Sequence, residues 1–198
     1  MDSRRILNPY NTLFIALHGK NKDGHQYISD AYIKGVRSFI VQNIRAELFP
    51  DATFIIVEDV LKSFQKLAEF HRKQFDIPII GITGSNGKTI VKEWLYQLLS
   101  PEYDVCRSPK SYNSQIGVPL SLLQLETHHN IGIFEAGIST SQEMESLEEM
   151  IQPTIGIFTN IGPAHDAGFE NYEAKIEEKL KLFKNTSKLI YCADYDLI

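Results

Sequence analysis

The most specific chemistry in the chain is carried by Ile79-Ile80-Gly81-Ile82-Thr83-Gly84-Ser85-Asn86-Gly87-Lys88-Thr89. An apolar run that reads as a buried strand ends in glycines, and a helix begins at the Lys-Thr pair. Glycines let the backbone approach a ligand closely, so the N–H groups of Gly84, Ser85, Asn86 and Gly87 could wrap a polyphosphate. The helix N-terminus adds partial positive charge. Lys88 would reach the terminal phosphates and the Thr89 hydroxyl would hold Mg²⁺. The spacing departs from the general phosphate-loop motif, because Ile82 stands where that motif wants its first glycine and the glycines fall at 81, 84 and 87. The plain alternative is a tight strand-to-helix turn with a solvated lysine. Strand, loop and helix in the required order favour phosphate binding.

Two further side chains lie where such a site would need them. Glu135 closes the apolar run Ile131–Phe134, and His165 follows the run Ile155–Thr159. A carboxylate at a strand end can ligate Mg²⁺, directly or through water. Open α/β sheets place ligands at the carboxyl ends of their parallel strands. Taken singly, Glu135 could cap the following turn and His165 could be a structural histidine; their joint placement with the glycine loop favours function.

The elements that must position these residues alternate along the chain. Leu13–Leu17, Ser38–Gln42 and Thr53–Val57 are short, apolar and rich in β-branched or aromatic residues, which predicts strands. Tyr27, Ala31 and Ile33 predict a helix over His25–Lys34 that stops at Gly35. Leu61, Phe64, Leu67, Ala68 and His71 recur at helical spacing within Val60–Gln74. After Ile77-Pro78, predicted strands at 79–83, 131–134, 155–159 and 189–192 alternate with helical patterns through Leu99, at Ser141–Met150 and at Tyr172–Phe183. Such alternation implies right-handed crossovers and a mostly parallel sheet covered on both faces. The expected class is α/β in two domains, a small one over 1–75 and a second over 76–198, divided near Gln74–Ile77.

Composition narrows the function classes. The 198 residues are 43% hydrophobic and 23% charged, with 20 Lys and Arg against 25 Asp and Glu, a net charge of −5. That balance offers no general attraction to nucleic acid or an anionic membrane, so phosphate binding must be local. Cys106 and Cys192 form no metal-ligand spacing and read as reduced, partly buried thiols of a cytoplasmic protein. Met1-Asp2-Ser3-Arg4-Arg5 lacks the apolar stretch of a signal peptide, and no run approaches the ~20 apolar residues of a membrane span.

Gly81–Thr89, read as GITGSNGKT, resembles the ATP loop of the Mur ligases, which depart from the general motif in the same way. The resemblance extends over most of the chain. Asp2-Ser3-Arg4 and Leu13–His25 are similar to the N-terminal nucleotide-sugar-binding domain of two branches of the family. Thr159–His165 with Phe169 looks more like the branch that adds D-alanyl-D-alanine, and Ser108–Leu125 resembles the ligase half of ligase–alanine racemase fusions. The resemblance implies an ATP- and Mg²⁺-dependent amide ligase of peptidoglycan precursor synthesis. It would join UDP-MurNAc-tripeptide to D-alanyl-D-alanine through an acyl phosphate, with a P-loop-type ATPase domain that is truncated here and a third domain absent. By the same resemblance Asn160 lies near the nucleotide, Ser3 and Arg4 near the uridine nucleotide, and Asn113 near the substrate. His165 matches a second metal ligand, and Lys179 matches a lysine carried as a carbamate. Lys88, Lys179 and His165 are thus the expected catalytic residues, and Thr89, Glu135 and His165 the expected metal site. Lys175, Lys179 and Lys181 could equally line a solvated helix face. Tyr112-Asn113-Ser114-Gln115 departs from the run of asparagines common in the family. Asp23 and His25 read as loop-shaping residues. The alternatives are a MurE-type ligase or another relative with the same loop, and a non-catalytic module that holds ATP or a nucleotide sugar.

Overall fold

The computed structural model describes residues 6, 8–19, 22–162 and 168–194. The chain divides into two compact units, Met1–Phe64 and Gln65–Ile198.

The first unit is built on β1 (Leu13–Ile15), β2 (Ser38–Val41) and β3 (Thr53–Ile56), paired in parallel in that order. All three predicted strands form, each shorter at its carboxyl end. The register sets Phe14 beside Phe39 and Phe39 beside Phe54, so the aromatic rings meet on one face. The predicted helix over His25–Lys34 is a 3₁₀ turn at Gly24–Tyr27 followed by α1 (Ile28–Ile33). Its buried residues are Ile28 and Ala31, whereas Ile33, expected on the packed face, is 81% exposed. The chain turns at Gly35, whose φ of 98° suits glycine.

Helix α2 (Val60–Arg72) carries the division between the units, upstream of the expected boundary near Gln74–Ile77. Its far end belongs to the second unit. The buried Arg72 guanidinium donates to the carbonyls of Ile151 and Gln152, and so satisfies groups that a helix end leaves open. Phe64 and Ala68 are buried as the periodicity implies, but Leu67 is exposed.

The second unit holds a parallel sheet in the order β5-β6-β4-β7-β8. Its strands are β4 (Ile79–Thr83), β5 (Val105–Arg107), β6 (Ile131–Glu135), β7 (Ile155–Phe158) and β8 (Lys188–Tyr191). Between them run α3 (Lys88–Leu99), α4 (Gly117–Leu122), α5 (Met144–Ile151) and α6 (Tyr172–Leu180). Strand β5 and helix α4 had no counterpart in the sequence reading. The period-two alternation of buried strands splits the core. Ile80, Ile82, Ile131 and Ile133 pack with Val91, Leu95 and Leu99 of α3. Ile79 and Phe134 join Val118 and Leu122 of α4 and Leu147 and Ile151 of α5 on the opposite face. Because Glu135 has the parity of Ile131 and Ile133, its side chain falls on the α3 side. The chain first runs to β5 and β6 on one side of β4, then to β7 and β8 on the other. The strand order reverses at β4, so a crevice opens beyond its carboxyl end.

Candidate functional site

The loop beyond β4 is held open by its own geometry. Gly84 has φ 142° and Gly87 has φ 81°, both in the region that disfavours side chains. A Cβ on Gly84 would lie 2.0 Å from the Thr159 hydroxyl, whereas one on Gly87 would meet nothing closer than 3.9 Å. Gly84 is therefore required by space as well as conformation, and Gly87 by conformation alone.

The connection after β7 clamps this loop. The Ser85 N–H donates to the Asn160 carbonyl at 2.9 Å, and the Asn86 N–H to Asn160 Oδ1 at 2.9 Å. Ser85 Oγ accepts from the Gly162 N–H at 3.0 Å, and the Thr159 hydroxyl donates to the Asn86 carbonyl at 2.6 Å. The Ser85 and Asn86 amides, expected to wrap a ligand, are both bonded to Asn160 here. The amides not engaged in this way include that of Gly87 and those of the first turn of α3. That helix starts at Lys88 after Gly87 with no side-chain cap, and its first internal bond is from Val91 N–H to Gly87 O at 2.9 Å. The N–H groups of Lys88, Thr89 and Ile90 precede that bond and have no helical acceptor. Asn160 thus shapes the cradle.

Three lysines, Lys88, Lys175 and Lys179, lie at the loop or the connection that clamps it. Lys88 lies across it, donating to Gly84 O at 2.8 Å. Burial lowers its affinity for a proton, with Glu135 opposing that shift. Lys179 is buried and approaches Gly84 O at 3.4 Å. Burial, with Lys88 and Lys175 adding repulsion, pulls its pKa down to about 8. Lys175 is buried against the Gly162 carbonyl, and Lys181 pairs with Glu178 at 2.7 Å. The solvated-face alternative for Lys175 and Lys179 is excluded by their burial.

Glu135 is fully buried at the carboxyl end of β6. Its Oε2 accepts from the Thr89 hydroxyl at 3.0 Å and from Asn113 Nδ2 at 3.4 Å. Thr89 also lies 3.3 Å from Ser111 Oγ. Oε1 is 3.0 Å from Lys92 Nζ, yet the angle makes no hydrogen bond, so this oxygen is a buried acceptor without a partner. The Lys92 ammonium balances its charge, though no directed hydrogen bond completes it. A hydroxyl and a carboxylate in contact beside an uncapped helix N-terminus fit Mg²⁺ held jointly by protein oxygens and a nucleotide's phosphates. Among the described residues no group of three or more His, Cys, Asp or Glu could hold a metal by itself.

Sequence reasoning missed Lys92 and Ser111. Lys92 is one helical turn beyond Lys88, which places both on the same face of α3; that spacing was the available signal. Asn113, expected near substrate, lies beside Glu135, its Nδ2 donating to Oε2 at 3.4 Å. His165, Ser3 and Arg4 lie outside the described residues. In the first unit, Asp23 accepts from the His25 N–H at 2.9 Å and lies 2.7 Å from its Nδ1, while Nε2 accepts from the Gln42 N–H at 2.9 Å. With Nε2 an acceptor, the proton of a neutral ring sits on Nδ1, and this pair shapes the loop after β1 as expected. Cys106 is buried, with its thiol pushed up to about 11 by burial, and Cys192 is exposed rather than partly buried. No helix among the described residues is long and apolar enough to cross a membrane.

Comparison with known proteins adds a family to this geometry. The Mur ligase middle domain family matches residues 82–197. The UDP-N-acetylmuramoyl-tripeptide–D-alanyl-D-alanine ligase of Treponema pallidum is 36% identical over 195 residues, which cover 92% of this chain and 41% of that protein. The structure of MurF ligase from Thermotoga maritima in complex with ADP superimposes with a TM-score of 0.86 at 27% identity, covering 98% of this chain and 45% of that one. MurF from Acinetobacter baumannii gives a TM-score of 0.86 at 27% identity, with 93% and 40% covered. The chain thus spans about two fifths of the length of these relatives.

Proposed function

The chain belongs to the Mur ligase family, and from that premise we propose that it forms the nucleotide-sugar-binding and phosphate-binding part of a cytoplasmic, ATP- and Mg²⁺-dependent ligase of peptidoglycan precursor synthesis. Its substrates are UDP-MurNAc-tripeptide and D-alanyl-D-alanine. The observation that carries the reading is the contact of Thr89 with the buried Glu135 at 3.0 Å, directly beside the uncapped start of α3 and Lys88. The relatives' names supply the substrates.

In this reaction the tripeptide carboxylate takes the γ-phosphoryl group, releasing ADP. The incoming amine then attacks the acyl carbon and phosphate departs. Bound ATP and Mg²⁺ supply the phosphoryl group and charge balance. The chain's own residues bind and orient. The amides of Lys88 to Ile90 and the Lys88 ammonium face the phosphates, and Thr89 with Glu135 would hold the metal. Lys179, whose pKa near 8 leaves part of it neutral at physiological pH, has the free amine that a carbamate requires. His165, Ser3 and Arg4 keep their proposed roles as metal ligand and uridine-nucleotide contacts on the resemblance alone. A fused alanine racemase in the full-length protein rests only on Ser108–Leu125.

Calorimetry of Mg-ADP against the wild type and Lys88→Ala tests this reading. Binding should weaken at least about tenfold in the variant, in line with loss of one charge-assisted contact. Equal affinity in the two proteins would remove the basis for the assignment.

A further inference from the structure

The lysine that sequence reasoning missed is the most enclosed cation in the site. Lys92 and Glu135 are both 0% exposed, with nitrogen and oxygen 3.0 Å apart. The ammonium has three protons, and its other neighbours are the carbonyl of Ser108 at 2.7 Å, the carbonyl of Lys110 and Glu93 Oε1 at 3.1 Å. The two carbonyls take directed hydrogen bonds, while the carboxylates of Glu93 and Glu135 lie at ion-pair distance, so Oε1 of Glu135 receives charge without a directed bond. Lys110 is in the left-handed region at φ 52°, an uncommon conformation for a residue with a side chain. Its carbonyl is turned onto the same ammonium. Ser108 also meets this strand end through its side chain, Oγ accepting from the Glu135 N–H at 3.2 Å. Lys92 therefore ties α3, the segment after β5 and the end of β6 to one point.

The charges around that point follow. Glu93 is shared with Arg107 at 3.1 Å, so Lys92 and Arg107 offset Glu93 and Glu135. Lys88 then leaves the cluster positive. A divalent cation arriving alone would meet one carboxylate whose charge is already cancelled, and Mg²⁺ surrenders its waters reluctantly.

We propose that Lys92 is a positioning residue: its buried ammonium fixes the Glu135 carboxylate and cancels its charge, so that a divalent cation is retained only together with a polyphosphate. This rests on the phosphate-binding reading above and adds a coupling between the two ligands, which must be reciprocal.

The test measures Mn²⁺ binding by electron paramagnetic resonance, without nucleotide and with saturating ADP, while calorimetry reports ADP binding separately. In the wild type, ADP should tighten Mn²⁺ at least about tenfold. In Lys92→Met, Mn²⁺ alone should bind at least about tenfold more tightly than in the wild type, because one positive charge has left the carboxylate. The benefit from ADP should shrink accordingly. A thermal melt establishes that the variant is folded; if it is not, the wild-type coupling decides. ADP binding with Mn²⁺ equally tight in its absence overturns the coupling while leaving the phosphate site intact. A folded Lys92→Met with unchanged affinity for Mn²⁺ alone assigns Lys92 a purely structural role and overturns the proposal. Failure of ADP to bind at all overturns both readings.

Discussion

Replacing Lys179 with methionine should stabilise the protein, and should do so only below about pH 10. Lys179 is 3% exposed, and its pKa falls from the ordinary 10.5 to about 8. The native state therefore binds a proton less readily than the unfolded chain. Below pH 8 both states carry the charge, and the native state bears the whole cost of burying it, about 3 kcal/mol for 2.5 units at 1.36 each. From pH 8 to 10.5 the unfolded lysine holds more protons, so stability rises with pH through this window. The contact with Gly84 O at 3.4 Å is long and offsets about 0.5–1 kcal/mol. Lys179→Met should thus gain about 2 kcal/mol at pH 7, or roughly 4–8 °C in Tm for a chain of this size. The gain should vanish by about pH 10, where the native lysine is neutral and what remains of the burial cost no longer exceeds the lost contact with Gly84 O. Cys106, raised from 9.0 to about 11, contributes the opposite slope in the alkaline range because the native thiol keeps its proton longer. Taking the difference between variant and wild type removes that contribution. The assay is urea denaturation of both proteins from pH 6.5 to 10 in carbonate-free buffer. A difference that does not change with pH, or a variant less stable at pH 7, would refute the reasoning.

Gly84→Ala places a methyl 2.0 Å from Thr159 Oγ1 at φ 142° and should cost more than about 3 kcal/mol, whereas Gly87→Ala, with open space, should cost about 1–2 kcal/mol; denaturant midpoints compare them. Asn160→Ala frees the Asn86 N–H and should lose about 1 kcal/mol, with Mg-ADP affinity reduced severalfold by calorimetry. Glu135→Gln leaves Lys92 buried beside a neutral amide and should destabilise by about 3 kcal/mol while abolishing the metal dependence of nucleotide binding, read by calorimetry with and without Mg²⁺. With ¹³C-bicarbonate, a carbamate resonance should grow as pH rises from 7 to 8.5 and should be missing in Lys179→Met.

The parts of the molecule legible in sequence were those whose signal is local and strong. β4 is an apolar run ended by glycines, and its bounds match the expected ones. Glu135 could be placed because a charge closing such a run falls at a sheet edge. β5 escaped because three residues, one of them Arg107, carry too little alternation to read. α4 escaped because Gly117 and Pro119 look like a loop, although proline costs little in a first turn, where its missing N–H needs no acceptor. The buried lysines are the deeper lesson. Periodicity sorts polar residues outward, so Lys92 drew no notice and Lys175 could be read as lining a solvated face, and only carbonyls and carboxylates distant in sequence explain their burial. The division of the chain inside α2 was hidden because the helical stripe runs on without a break in its pattern.

The central claim is that the first turn of α3 receives a nucleotide's phosphates. Amide ¹H–¹⁵N spectra recorded during titration with Mg-ADP test it residue by residue. The largest shifts are expected at Lys88, Thr89 and Ile90, whose N–H groups have no helical acceptor, with smaller ones at Ser85 and Asn86, already bonded to Asn160. Saturable binding that leaves the amides of 88–90 unmoved would contradict the account.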